Sequence, residues 1–232
     1  MNFTYNGTSA SDFGLIVEHR PAYVFPKRVI ETINIPGRSG NLLYDTGAYN
    51  NVTVTYQCAY RGAVRANARD IATWLYQNEY CELEDDYDPL YYRKAVFVSP
   101  LSVADILNAA GRVNITFDCY PQRYLKTGKT ETTYSSGTTL SNTGEDALPI
   151  ITVNGSGNGV LTVGGSVVTI TGIGTGIVIN SEEQNAQTMN GENANNKISV
   201  TGGFPVLANG STIISWTGGI TSIKVIPNWW TL

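Results

Sequence analysis

The densest run of potentially reactive side chains is Glu82-Leu83-Glu84-Asp85-Asp86-Tyr87-Asp88. Carboxylates at Glu84, Asp85, Asp86 and Asp88 are the oxygen donors that a calcium ion takes. The run lacks the alternating acid spacing and the glycine of an EF-hand loop, so a solvated turn between two strands is the plainer reading; both stand at this point. Glycoside hydrolysis also uses paired carboxylates, but nothing beside the run points to a sugar cleft. Nucleophilic catalysis needs a nucleophile, a base and an orienting group. The chain has one histidine, His19, beside Arg20-Pro21, and no serine stands in a GxSxG setting. His19 is therefore read as an ordinary strand or loop residue.

Other chemistries find less support. The three cysteines, Cys58, Cys81 and Cys119, show no CxxC spacing, which argues against zinc and for reduced thiols, buried or half-buried. No GxxxxGK[ST] loop occurs. The glycine clusters at Gly155-Ser156-Gly157 and Gly172-Ile173-Gly174-Thr175-Gly176 run into strand-like residues rather than helices, so they are read as turns and not as phosphate cradles. Trp216, Trp229 and Trp230 could form a stacking platform for sugar. Trp229 and Trp230 are adjacent and, if extended, point to opposite faces, one into a core and one toward a neighbouring domain or chain. No catalytic residue, cofactor or metal is assigned.

The elements that would carry these residues are mostly strands. Charged residues make up 15% of the chain, against roughly 25% in ordinary soluble domains, and the abundant Gly and Tyr suit β-structure with many turns. A net charge of −4 gives no general attraction to nucleic acid. No apolar run is long enough for a membrane span, and Met1–Gly7 has neither a basic n-region nor an apolar h-region of a secretory signal. Residues 1–128 carry 12 Lys and Arg against 13 Asp and Glu, and residues 129–232 carry 3 against 6, with no Arg or His. A Thr/Ser/Gly stretch at 127–139 marks the change, so the expected domains are 1–128 and 129–232.

In the first half, Phe13–Val17 and Val29–Ile35 read as strands, the latter closed by Pro36-Gly37-Arg38-Ser39-Gly40. Val52–Tyr56 alternates as a half-buried strand should. Val64, Ala68, Ile71, Ala72 and Leu75 fall on one face of a helix expected over Ala63–Asn78, with Arg65, Arg69 and Asp70 on other faces. Strands resume near Tyr80–Glu84, Tyr91–Val98 and Val113–Cys119. The second half reads as about seven short strands, at 150–153, 160–163, 167–170, 177–179, 198–200, 212–216 and 222–226. Turn pairs such as Asn154-Gly155, Gly164-Gly165 and Gly218-Gly219 separate them, as in a β-sandwich.

In this order the motifs resemble a known family. Phe3-Thr4-Tyr5-Asn6-Gly7, followed by Ser11-Asp12-Phe13-Gly14-Leu15, is similar to the opening of siphophage distal tail proteins, of the broad phage-tail-component family and of phages or prophages of Gram-positive hosts. Ile35-Pro36-Gly37-Arg38-Ser39-Gly40 resembles that family's IPGRdG turn, with Ser39 where an acid is common. The expected helix, Cys119–Leu125, Asn142-Thr143-Gly144, Leu148–Ile151, Gly203–Leu207 and the ending Val225–Trp230 fit the same layout. The arginines that often flank the terminal tryptophan of relatives are missing.

The resemblance implies a mainly β protein: an N-terminal β-barrel-like sheet domain with one α-helix, and a C-terminal galectin-like β-sandwich. It implies a structural virion protein and not an enzyme, made in the bacterial cytoplasm. Its copies would form a homo-hexameric ring at the tail tip, joining the tail-tube protein to the tail-tip protein of the baseplate and host-adsorption apparatus. DNA would pass through the lumen without specific recognition, and no membrane is involved. Pro36, Gly37 and Arg38 are the expected intersubunit contact. The alternative is a carbohydrate-binding module or adhesin that contacts host wall glycan. Galectin-type sugar sites use His, Arg and Trp together, and residues 129–232 lack the first two.

Overall fold

Alternation decides the central strands. In Val52–Arg61 the side chains of Val52, Val54, Tyr56, Cys58 and Tyr60 are buried while Thr53 and Gln57 are exposed. Its antiparallel partner Ala110–Cys119 buries Val113, Ile115, Phe117 and Cys119, which stand opposite Cys58, Tyr56, Val54 and Val52. Opposed residues share a face of a pleated sheet, so the two strands put one continuous apolar surface on the core side. The computed structural model describes residues 1–61, 64–100, 103–107 and 110–232. They form two units, one of residues 1–123 (grouped with Leu232) and one of residues 124–231.

The first unit contains β1 (Phe3–Tyr5), β2 (Thr8–Ser9), β3 (Leu15–His19), β4 (Arg28–Ile33), β5 (Leu42–Tyr49), β6 (Val52–Arg61), α1 (Val64–Leu75), β7 (Cys81–Asp85), β8 (Tyr91–Phe97), β9 (Val103–Leu107) and β10 (Ala110–Cys119). The main sheet runs β2-β1-β7-β8-β10-β6-β3, with β9 also on β10, and β4 pairs with β5 apart from it. β1 and β6 stand four places apart, which in a flat sheet would separate them by roughly 19 Å at ~4.8 Å per place. Yet the rings of Phe3 on β1 and Tyr56 on β6 stack with centroids 4.3 Å apart. The sheet therefore curls into a half-barrel around Phe3, Tyr5, Tyr56 and Phe117.

Helix α1 packs on that cluster. Ile71, Trp74 and Leu75 are buried, and Arg69 and Asp70 are exposed, as the periodicity predicts. Burying side chains of this size contributes about 1.5–3 kcal/mol each. Trp74 stacks on Phe13 at 4.6 Å, and its Nε1 donates to the Tyr5 carbonyl at 2.9 Å. The helix is shorter than expected, ending at Leu75; Tyr76 donates to Ala72, and Gln77 already turns back to Leu75. Ala63, where the expected helix begins, lies outside the described residues.

The second unit holds β11 (Arg123–Leu125, from Tyr124 onward), β12 (Thr132–Tyr134), β13 (Thr138–Asn142), β14 (Ile150–Val163), β15 (Ser166–Ile170), β16 (Ile177–Asn180), β17 (Asn185–Thr188), β18 (Ile198–Thr201), β19 (Gly210–Ile226) and β20 (Trp230–Thr231). Asn154-Gly155 and Gly218-Gly219 do not separate strands as the sequence suggests; they lie inside β14 and β19. The two strands pair along their length, with register shifts at Asn154–Gly159. On one side of the shifts Ile150–Val153 pairs with β16 and Ile223–Ile226 lies by β12; on the other, Gly159–Val163 pairs with β15 and Ile214 with β13. The strands thus turn a corner and serve two layers that share one core, including Ile151, Val153, Leu161, Val163, Ile214 and Ile223. A Cβ on Gly219 would collide with the Ser156 carbonyl oxygen, so glycine lets the strands cross closely at the corner. Gly164-Gly165 is a true hairpin turn, with Val163 opposite Ser166.

Candidate assembly interface

After His19 the chain leaves the half-barrel and builds an arm. Among the described residues β4 and β5 pair only with each other, and Asn50 N–H donates to the Lys27 carbonyl at 2.9 Å to close its base. An ion pair between Arg28 and Asp45, and a 2.9 Å bond from Thr46 Oγ1 to the Val29 carbonyl, hold the base further. Ile30 stands opposite Asp45, Glu31 opposite Tyr44, Thr32 opposite Leu43 and Ile33 opposite Leu42. One face therefore presents Ile30 and Leu43, and the other Ile33, Leu42 and Tyr44. All five are exposed, Leu43 to 65% and Tyr44 to 58%. A two-stranded ribbon is marginal in water by itself, and grouped exposed apolar residues mark an interaction surface. Here both faces carry them.

The three residues singled out from sequence, Pro36, Gly37 and Arg38, form the arm's far end. Arg38 N–H donates to the Ile35 carbonyl at 3.1 Å, and Gly37 has φ +80. Pro at the second position and a positive-φ glycine at the third make a type II turn. All three side-chain positions are exposed. Sequence reasoning missed β5, although Leu42-Leu43-Tyr44 holds its most exposed apolar residues; the run lacks polar alternation because neither face meets the protein's own core.

The end of the acidic run lines a cleft with Pro21–Val24, the segment that leads from β3 into the arm. Asp85 Oδ1 accepts from the Tyr87 and Asp88 N–H groups, both at 3.0 Å, and Asp85 Oδ2 accepts from the Tyr56 hydroxyl at 2.8 Å. Burial, then the Asp85 charge and hydrogen bond, push the Tyr56 hydroxyl well above its ordinary pKa. Among the described residues no three His, Cys, Asp or Glu side chains come together as metal ligands. Arg123 also lines this cleft. Its guanidinium lies 4.4 Å from the Tyr91 ring and 4.8 Å from the Tyr23 ring, pairs with Asp88 and donates to the Tyr23 hydroxyl. Arg20 lies over the Tyr87 ring at 5.3 Å. Arg93 donates to the Tyr120 and Pro121 carbonyls, and burial lowers its pKa.

The other sequence candidates do not gather. His19 is exposed at the end of β3, opposite Gln57. Cys58 and Cys119 are buried free thiols pushed up to about 12, mainly by burial, and Cys81 is half-buried. Trp229 and Trp230 do not divide between the core and a neighbour: both are half-buried against the sandwich core, as is Trp216. Asn228, at φ +53, turns the chain just before them. No helix among the described residues is long and apolar enough to cross a membrane.

Residues 11–119 match the family model of the phage tail protein RIFT-related domain. The whole fold is similar to the crystal structure of the Dit protein of phage SPP1, described as a paradigm of the hub adsorption apparatus in phages that infect Gram-positive bacteria. The TM-score is 0.78 at 14% identity, over 100% of this chain and 99% of that one. No curated protein sequence matches the chain. The resemblance read in the sequence is borne out, as is the mainly β architecture with one helix.

Proposed function

Because residues 11–119 belong to the family of phage tail RIFT-related domains, we propose that this tail structural protein forms a closed hexameric ring at the tail tip. The ring joins the tail tube to the tail-tip protein of the adsorption apparatus and leaves a lumen for DNA. The observation that carries the reading is the arm: a ribbon with exposed apolar residues on both faces, ending in the Pro36-Gly37-Arg38 turn. A head-to-tail ring needs two different, complementary surfaces on each copy. The arm supplies one, and a neighbouring half-barrel supplies the other. The C-terminal domain, a galectin-like sandwich without Arg or His, serves as a docking and structural element on the ring. The protein belongs to the virion tail and is assembled in the host cytoplasm.

Light scattering with negative-stain imaging tests this. Six-fold rings, of six times the chain mass, are expected for the full protein. Replacing residues 28–49 by a short Gly-Ser link should leave a folded monomer. Rings that persist without the arm would overturn its role.

A further inference from the structure

The segment that launches the arm, residues 20–27, has no regular secondary structure. Among the described residues no backbone hydrogen bond reaches residues 20–26. Ala22, Tyr23, Val24 and Phe25 are exposed, and Pro21–Val24 spans a cleft of about 170 Å³ with Val54, Asp85 and Arg93 among its other walls. What ties this strap to the body is side-chain clasping. Arg123 has only 10% of its side chain exposed. It rests on Tyr91 of the body and is covered by Tyr23 of the strap, while Asp88 neutralises it.

We propose that Arg123 is a latch that fixes the direction of the arm before any partner arrives. The chemistry suits arginine specifically. A planar guanidinium offers two faces for two rings and in-plane donors for a carboxylate and a hydroxyl, whereas a lysine ammonium has no such faces. Arg20 on Tyr87 is a weaker second clasp at the start of the same strap. Asp85 serves both clasps by fixing the turn that presents Tyr87 and Asp88. The acidic run is thereby assigned a purpose: it is the saddle on which the arm is strapped. A latched arm meets its partner already ordered, so docking forfeits less conformational freedom. An unlatched strap of eight residues would let the tip wander over roughly 15 Å. This inference rests on the arm being the assembly element, but its test does not require rings.

The test is a spin-label distance measurement on the full chain, diluted into excess unlabelled protein. One label goes on the tip (Ser39→Cys) and one on the exposed outer side of β10 (Asn114→Cys), in a Cys81→Ser background. Cys58 and Cys119 are buried and stay protonated at labelling pH. The otherwise unmodified protein should give a single narrow distance distribution. Arg123→Met, Arg123→Lys and Tyr23→Ala should each broaden it at least about twofold. Tyr23 is 59% exposed, so Tyr23→Ala keeps the test alive if the arginine variants fail to fold. An unchanged width in folded Tyr23→Ala overturns the latch. Particle mass, read separately, keeps the two ideas apart: rings with unchanged width sink only the latch, and a broadened arm without rings in the parent sinks only the ring reading.

Discussion

The curl of the half-barrel rests on one contact that a flat sheet would not allow, and it can be measured energetically. Phe3 is 1% exposed and Tyr56 also 1%; their rings stack at 4.3 Å although four sheet places separate their strands. The perturbation is a double-mutant cycle of Phe3→Leu and Tyr56→Leu. A stacked aromatic pair contributes about 0.5–1.5 kcal/mol beyond its buried area, so the double variant should be less destabilised than the sum of the singles by that amount. The hydroxyl bond from Tyr56 to Asp85 is lost on both arms of the cycle and cancels. The assay is urea unfolding with fluorinated tryptophan followed by fluorine NMR. Trp74 is the only tryptophan of the first unit, the other three lying in the second, so its resonance, assigned with Trp74→Phe, reports the half-barrel alone. If the sheet were flat the residues would lie roughly 19 Å apart. Coupling would then fall within the ~0.3–0.5 kcal/mol found for independent sites, and that result would refute the curl.

Three further outcomes follow from the same geometry. Leu43→Asp and Tyr44→Asp, on opposite faces of the arm, should each abolish ring formation in light scattering while shifting the stability of the folded chain by no more than about 0.5 kcal/mol; assembly indifferent to either change would mean that face is uncovered. Gly219→Ala should destabilise the sandwich by at least about 2 kcal/mol, seen as a lower melting midpoint for the second unit alone, because the added carbon meets the backbone of Ser156. The raised folded-state pKa values of Cys58 and Cys119, from 9.0 to about 12, mean that the unfolded chain releases these protons first as pH rises. Their contribution is therefore intact below pH ~9 and is lost above it, by of order 1–2 kcal/mol per thiol near pH 10.5. Urea midpoints of the first unit at pH 8 and pH 10.5 should show the drop, and Cys58→Ala should reduce it.

Local chemistry made several elements legible in advance. Strict alternation along Val52–Tyr56 announces a strand with one buried face. Apolar residues at Ile71 and Leu75 announce the buried side of a helix. Pro36-Gly37 announces a tight turn, because proline fixes one φ and glycine tolerates the positive φ that follows. The glycine pairs of the second half were harder to read. Gly164-Gly165 reverses the chain, whereas Gly218-Gly219 lets a strand continue round a corner, and the difference lies in what stands opposite: backbone carbonyls of Ser156 and Asn158 crowd Gly218 and Gly219, while Gly164 meets only the Thr212 methyl and Gly165 open space. Trp74 likewise carries no local sign that its indole N–H will find the Tyr5 carbonyl 69 positions away.

The acidic run Glu82–Asp88 shows most clearly what local chemistry settles and what it leaves to the fold. By itself the sequence favoured a solvated turn near Asp85–Asp88 over a cation site, since carboxylates favour water and short polar segments favour reversal; Glu82–Asp85 in fact completes strand β7, and only Asp86 onward reverses the chain. Only the tertiary structure decided what the turn does. Arg123 lies 35 positions from Asp88 and 100 from Tyr23, and no periodicity or propensity reaches across such separations. The fold of the half-barrel brings the three together, and there cation, carboxylate and aromatic rings satisfy one another at the base of the arm.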